Sequence, residues 1–373
     1  MSSRVGVIGG GQLARMMVPS AVALGIDIRV LAETEGSSAA IAATSVGDYT
    51  DAATVLAFAR EVDVVTFDHE HVPQAVLAAL VDAGHAVHPG PDPLAIAQDK
   101  IVMRERLAEI GAPVPQWAVV RDVDGLTAFL DEHGGRAVVK TPRGGYDGKG
   151  VRVVSRAAEA ADWLATAGER GLLVEELVDF RRELAQLVAR RPAGEVRAWP
   201  LVETVQRDGV CAEVFAPAPD AGSLVDEARQ LAERIASELG VTGVLAVELF
   251  ETSDRRLLVN ELAMRPHNTG HWTIDGAVTS QFEQHLRAVL DLPLGDPSPT
   301  APWSVMVNVL GGPSGAMMPD RYPAAMAAHP EVKFHSYGKE SRPGRKVGHV
   351  TATGTDLDDT TATARAAAGF FQG

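Results

Sequence analysis

At 373 residues the chain exceeds the roughly 250–300 residues at which single hydrophobic cores stop growing, so two or three domains are expected. Its 46% hydrophobic and 22% charged residues read as a soluble globular protein, and no apolar run approaches the roughly 20 residues that a membrane helix needs. A net charge of −15 would repel a nucleic-acid backbone, and the single Cys211 excludes an internal disulfide or a cysteine-rich zinc site and fits a reducing compartment.

The first strand pattern begins at Arg4, leaving no room for a signal peptide, so a cytoplasmic location is expected. The runs RVGVIGGG, DIRVLAE, ATSVGD, DVVTFD and HAVHPG alternate with helical stretches, the rhythm of a doubly wound parallel sheet. After HPGPDPLAIAQDK the helix IVMRERLAEIG ends at Gly111 and Pro113, placing a boundary near residue 98. A mixed α+β region follows to about residue 295, then the proline-rich linker PLGDPSPTAPW and a short β-rich stretch. The expected units are therefore 1–98, 99–295 and 296–373.

Gly9, Gly11 and Ala14 have the spacing of a dinucleotide-binding turn, and Glu33 lies where an acid could hold a ribose hydroxyl. An NAD-dependent oxidoreductase is therefore one reading. The same turn and helix start would suit any phosphate, and a tight turn with no ligand is the third possibility.

TPRGGYDGKG, residues 141–150, places four glycines after the apolar strand RAVVK. Each glycine costs backbone entropy on ordering, so such a loop suits a ligand whose phosphates the backbone approaches closely, with Lys140 and Lys149 supplying charge. It lacks the Gly-Lys-Ser/Thr ending of a Walker loop, and a mobile surface hairpin is the alternative. GVLAVELF and RRLLVNEL form an expected hairpin. With its centre between Asp254 and Arg255, Glu248 and Glu261 face each other, their Cβ atoms roughly 5 Å apart. Facing carboxylates among apolar residues call for a cation between them, and hard oxygen ligands beside phosphates suggest Mg²⁺. Arginine pairing or partial exposure would also explain them. Asn260 could add its amide oxygen, although strict alternation points it to the other face.

In this order the motifs resemble the ATP-grasp superfamily. More narrowly, GGGQLARM, GGYDGKG, NELAMRPHNTGHWTIDGAVTSQFEQHLRAVLDLPLG and KESRPGRKVGH are similar to the N5-carboxyaminoimidazole ribonucleotide synthetase family of purine biosynthesis. The resemblance implies an ATP-grasp fold with an N-terminal doubly wound domain, a small glycine-loop lid over about 114–178 and a C-terminal β-rich region. It implies ATP as co-substrate with Mg²⁺ (two ions), bicarbonate and aminoimidazole ribonucleotide as the other substrates, and a homodimer without nucleic-acid or membrane partners.

By the same resemblance Lys100 and Lys140 hold ATP phosphates, and Gly145, Tyr146, Asp147, Gly148, Lys149 and Gly150 form the flap. Glu175, Glu176, Leu177 and Val178 form the adenine linker, Glu183 takes the ribose, Gln206 and Asn260 border the nucleotide, and Glu248 and Glu261 bind metal. Arg265, His267 and Asn268 would contact bicarbonate and carboxyphosphate. Lys339, Arg345 and Lys346 would clamp the substrate and the reacting phosphate. Gln12 and Leu13 fall at the substrate's ribose phosphate, and Glu70, Tyr146 and Asp147 at its aminoimidazole end.

Three positions depart from the family pattern. Asp68 and Glu70 stand where two glutamates are usual, Gln206 replaces an ATP-contacting histidine, and Lys100 replaces an arginine, keeping charge but losing the planar fork. Blander readings remain for several residues. His267 could be a satisfied buried histidine, Arg345 and Lys346 a solvated run, and Glu175 with Glu176 a helix start or surface pair. His271 and Trp272 read as packing. Another ATP-grasp carboxylase or formate ligase, or a catalytically silent nucleotide binder, are the remaining alternatives.

Overall fold

The computed structural model describes residues 2–145, 150–207, 209–312 and 317–371. In the N-terminal part β1 (Arg4–Ile8), α1 (Gln12–Leu24), β2 (Asp27–Ala32), β3 (Ala43–Val46) and α2 (Ala52–Ala59) are followed by β4 (Val64–Phe67), α3 (Gln74–Asp82) and β5 (Ala86–Val87). All five strands are parallel, in the order β3-β2-β1-β4-β5. β4 is buried along its whole length, which is why VVTF carries no polar alternation. The order reverses direction at β1, so the glycine turn after it opens into the crevice where such sheets bind ligands.

α4 (Pro91–Gln98) leads to α5 (Lys100–Glu109), which starts where the Asp99 carboxylate accepts from the amides of Ile101 and Val102 at 3.1 and 3.3 Å. Gly111, in the left-handed region at φ +65°, stops the chain just past its end. β6 (Trp117–Val120), α6 (Val123–Glu132), β7 (Ala137–Lys140), β8 (Val151–Val154), α7 (Ala161–Ala167) and β9 (Leu172–Glu176) then build the small unit. Its four strands are antiparallel in the order β6-β9-β7-β8. Glu175 and Glu176 thus end a strand and do not start a helix.

The third layer is a large sheet. Its first part is β10 (Phe180–Arg190), β11 (Val196–Ala198), β12 (Val202–Arg207), β13 (Val210–Ala216), α8 (Leu224–Glu238), β14 (Gly243–Thr252) and β15 (Leu257–Ala263). α9 (Thr273–Gly276) and α10 (Gln281–Val289) follow, and beyond the proline-rich linker come β16 (Trp303–Leu310), α11 (Tyr322–Ala328), β17 (Lys333–Ser336), β18 (Lys346–Gly354) and α12 (Leu357–Gly369). The strands run β15-β14-β10-β12-β13-β16-β18-β17, with β11 on β10. β16 pairs antiparallel with β13, so the segment after the linker extends the existing sheet and does not build one of its own.

Ala228, Leu231, Ala232, Ile235 and Ala236 line one face of α8 and pack with Met103 and Leu107 of α5 on Leu245, Val247 and Val259 of the sheet. Each fully buried leucine or isoleucine here contributes about 1.5–3 kcal/mol of burial free energy. This core fixes α5 beneath the β14–β15 hairpin. Among the described residues no helix is long and apolar enough to cross a membrane.

Candidate active site

Glu248 of β14 and Glu261 of β15 are register partners, as the hairpin spacing predicts. The route to that pairing differs from the expected one. Thr252 N–H donates to the Arg256 carbonyl at 2.9 Å, so the turn centres on Asp254, and Arg255 takes φ +62°. That shift would misalign the glutamates by one residue. Past Leu249, which pairs with Val259, Asn260 is an extra residue, and the bulge restores Glu248 opposite Glu261. It also explains why Asn260 escapes strict alternation: its Oδ1 accepts from Lys140 Nζ at 3.4 Å, inside the cleft.

The two carboxylates are not equivalent. Burial, with Glu261 and Glu183 nearby, pushes the Glu248 carboxyl up to about 8. Burial acts on Glu261 too, but Lys100, whose Nζ donates to Glu261 Oε1 at 2.9 Å, wins and holds it below the usual value. The Glu261 side chain keeps 45% of its exposure, opening to the cleft. Two carboxylates and an amide oxygen suit Mg²⁺, which prefers hard oxygen and takes its remaining ligands from phosphate and water. Among the described residues no cluster of three or more acidic, His or Cys side chains could cage a metal alone.

Behind this edge lies an ion network that the sequence did not reveal. Arg104 of α5, 2% exposed, donates Nε–H to Glu175 Oε1, and its Nη2 donates to the Asn260 carbonyl at 2.6 Å. Glu175 Oε2 also sits 2.6 Å from Lys140 Nζ. Glu175 is therefore not a surface residue: it lines the cleft, and its carboxylate is spent on Arg104 and Lys140. The available signal was the helical spacing of Arg104 from Lys100, four residues apart and on one face.

Glu176 Oε1 accepts from the Gln116 amide at 2.9 Å, and Leu177, Val178, Glu183 and Gln206 line the same end of the cleft. Burial raises the Glu183 carboxyl, and a hydrogen bond from Gln206 opposes the shift. Gln206 is thus brought beside Glu183 as the carboxylate's partner. Of the expected flap residues Gly145 lines the cleft and Gly150 takes φ +72°, while Tyr146, Asp147, Gly148 and Lys149 lie outside the described residues.

His267 stands 3.5 Å from Glu248, and Nδ1 meets Thr269 Oγ1 at 3.0 Å. Burial, with Arg265 and Lys346, holds the imidazole well below its ordinary value, hence neutral. Gln281, fully buried, accepts from the His267 amide at 2.8 Å and donates to its carbonyl at 2.7 Å, fixing the loop that carries it. Asn268 is buried and lines the cleft beside Cys211. His271 and Trp272 are fully buried, in line with packing.

At the opposite end, Glu70 Oε2 accepts from Arg265 Nε at 2.7 Å and Oε1 from the Met264 amide at 3.1 Å. Asp68 Oδ1 accepts from the Ala14 amide at 2.7 Å, and a Cβ on Gly11 would stand 2.0 Å from its other oxygen. Glu33 does not wait for a ribose. It accepts from the Gly10 amide at 3.2 Å and pairs with His69, whose hydrogen bond pulls its carboxyl down to about 2. Glu33 and Asp68 thus take the Gly10 and Ala14 amides, two of the donors a dinucleotide pyrophosphate would use. Gln12 Oε1 accepts from Lys339 Nζ at 2.8 Å, and Leu13 and Lys346 also line the cleft. Arg345 does not reach it. The turn through Gly344, at φ +76°, leaves Arg345 exposed with its guanidinium 3.4 Å from the Glu340 carbonyl.

The resulting cleft holds about 1180 Å³ and runs from the lid to the first glycine turn. Residues 105–282 match the ATP-grasp domain, 1–98 the ribonucleotide synthetase preATP-grasp domain, and 304–363 the phosphoribosylaminoimidazole carboxylase C-terminal domain. The N5-carboxyaminoimidazole ribonucleotide synthase of Mycobacterium tuberculosis is 52% identical over 360 residues, covering 95% of this chain and 84% of its own. The chain belongs to the N5-carboxyaminoimidazole ribonucleotide synthase family. The Corynebacterium ammoniagenes member is 51% identical, with 98% and 91% coverage. Among solved structures of the family, that from Thermus thermophilus superposes with a TM-score of 0.88 at 36% identity, covering 99% of this chain and 98% of that one. The Aspergillus clavatus enzyme, solved with ADP and 5-aminoimidazole ribonucleotide, also gives 0.88 at 30% identity, with 99% and 98% coverage. As a family member the chain is an ATP-grasp ligase of purine biosynthesis.

Proposed function

We infer that the cleft couples ATP cleavage to carboxylation of 5-aminoimidazole ribonucleotide by bicarbonate, giving N5-carboxyaminoimidazole ribonucleotide, ADP and phosphate through carboxyphosphate. The observation that carries this reading is the two-ended cleft. Lys100, Lys140 and the Glu248–Glu261 pair lie at one end, and the Gly11–Gln12 turn with Lys339 lies at the other. Family membership supplies the substrates.

Bicarbonate is a weak nucleophile and ATP is densely charged, so the protein's task is to bring anions together and neutralise them. Lys140 and Lys100 take the phosphates. Glu248, Glu261 and Asn260 would hold Mg²⁺, in one or two ions, which when bound neutralises phosphate charge. Arg265 and Asn268 hold bicarbonate beside neutral His267, close enough that transfer within the cleft becomes effectively unimolecular, worth effective molarities of about 10⁵ M. Carboxyphosphate is labile, and the lid sheet excludes water from it. The nucleotide substrate sits with its phosphate toward Gln12, Leu13 and Lys339 and its amine toward Glu70 and Asp68. Asp147 or the departing phosphate takes the amine's proton. We extend the reading to a cytoplasmic homodimer, which sedimentation would check.

ADP release measured with and without bicarbonate and aminoimidazole ribonucleotide tests the function. The expected result is turnover that needs both. Turnover that ignores bicarbonate, or that formate supports instead, would overturn it.

A further inference from the structure

Three cations reach the nucleotide end of the cleft from below. Lys100 and Lys140 touch open carboxylate or amide oxygens, whereas Arg104 is sealed from solvent and faces backwards. Its fork spans two elements of different sheets. Nε donates to Glu175 at the end of β9, in the lid, and Nη2 donates to the carbonyl of Asn260, the bulge residue of β15. The remaining nitrogen, Nη1, is buried without a hydrogen-bond partner in the protein. An unsatisfied guanidinium nitrogen costs stability, so a purely structural optimum would not choose this group.

We propose that Arg104 is a positioning residue for phosphoryl transfer: it holds the bulge that turns Asn260 and Glu261 into the cleft and fixes it relative to the lid strand carrying Glu175. The inference rests on the reading of Glu248 and Glu261 as the cation-binding pair. Lys100 and Arg104, one helical turn apart, grip consecutive residues of the bulge, one by a carboxylate and one by a carbonyl. α5 is itself pinned by its Asp99 cap and by the packing of Met103 and Leu107, so the grip is rigid. Through Glu175 the same fork sets the place of Lys140, because Glu175 holds both cations. Lysine could replace the charge but not the fork, since one ammonium cannot reach a lid carboxylate and a floor carbonyl in the same geometry.

The test compares Arg104→Lys, Arg104→Met and the paired Arg104→Met/Glu175→Gln with the parent full-length enzyme, alongside Glu261→Gln. ADP release is followed while MgATP, free Mg²⁺ and aminoimidazole ribonucleotide are varied in turn. For Arg104→Lys the proposal expects the KM for MgATP and the Mg²⁺ needed for half-maximal rate to rise at least about tenfold, with the KM for aminoimidazole ribonucleotide within twofold. The paired variant, which removes both members of the Arg104–Glu175 pair and leaves Lys140 its contact with the Asn260 amide oxygen, should fold and show the same split. A loss of kcat in proportion to the folded fraction, with every KM unchanged, would assign Arg104 to stability alone and overturn the proposal. So would an Arg104→Lys enzyme with parental constants. If Glu261→Gln kept full activity, the cation-pair reading itself would fall. If Glu261→Gln were inactive and Arg104→Lys normal, only the positioning role would.

Discussion

Glu261 carries two interactions whose energies differ in kind. Its pair with Lys100 is half open to the cleft, and such pairs contribute about 0–1 kcal/mol to stability, while the facing Glu248 repels it. Glu261→Gln should therefore leave the melting temperature nearly unchanged and lower kcat/KM at least about 100-fold, through lost charge stabilisation at the phosphates. Circular dichroism melts and ADP release check both halves, and full activity with a normal melt would remove Glu261 from the site. Glu33 teaches the converse lesson. Its spacing from the glycine turn suits a ribose ligand, yet it is bound to Gly10 and His69, contacts that no spacing rule anticipates.

At the scale of the element, the β14–β15 hairpin shows two local irregularities that cancel. A turn centred on Asp254 and the extra residue Asn260 together leave Glu248 opposite Glu261. Alternation along an apolar strand is readable in a sequence, and so is a hairpin. A bulge is not, because one extra residue is stabilised by what it meets, here Lys140 and Arg104. Asn260→Ala removes the amide contact to Lys140 but keeps the carbonyl that Arg104 holds. MgATP binding should weaken by about tenfold, or ~1.4 kcal/mol, with the stability of the protein unchanged. Equilibrium binding measures the first and denaturant titration the second; unchanged affinity would place the Asn260 side chain outside the nucleotide site. The clamp segment teaches a related lesson: RPGRK reads as one basic loop, but its turn sends Arg345 outward, while Lys346, next in sequence, lines the cleft.

Over the whole molecule, His285 of α10 joins the two sheets that enclose the cleft. Its Nδ1 accepts from the Val244 amide of β14 at 3.1 Å, so Nε2 carries the proton and donates to Thr66 Oγ1 of β4 at 2.7 Å. Burial pushes this imidazole down to about 3. A histidine kept neutral in the fold destabilises it in acid, because below about 6.5 the unfolded chain takes a proton that the fold refuses. The cost is absent above that pH and grows by about 1.4 kcal/mol per pH unit until the folded value is reached. His271 and His349, also held neutral by burial, add to the slope. Unfolding free energies at pH 7 and 5.5 should thus fall less for His285→Asn than for the parent, by about 1.4 kcal/mol for roughly one proton. Equal losses in the two proteins would show that His285 titrates normally. The proline-rich linker is instructive at this scale too. It marks a change of composition, but β16 pairs with β13 across it and the sheet continues.

By itself the sequence determined the alternation of strands and helices and the parallel sheet of the first hundred residues, the strand that Lys140 ends, and the β14–β15 hairpin, though not the bulge that sets Glu248 opposite Glu261. Each of these follows from periodicity or spacing within a few tens of residues, where covalent geometry sets the answer. The tertiary structure alone decided that Arg104 lies buried under the bulge and that Glu33 closes its own turn. It alone decided that Glu175 holds two cations and that Arg345 turns away. Those outcomes depend on which distant groups arrive within hydrogen-bonding distance, and on whether burial makes a pairing obligatory, neither of which a local pattern carries.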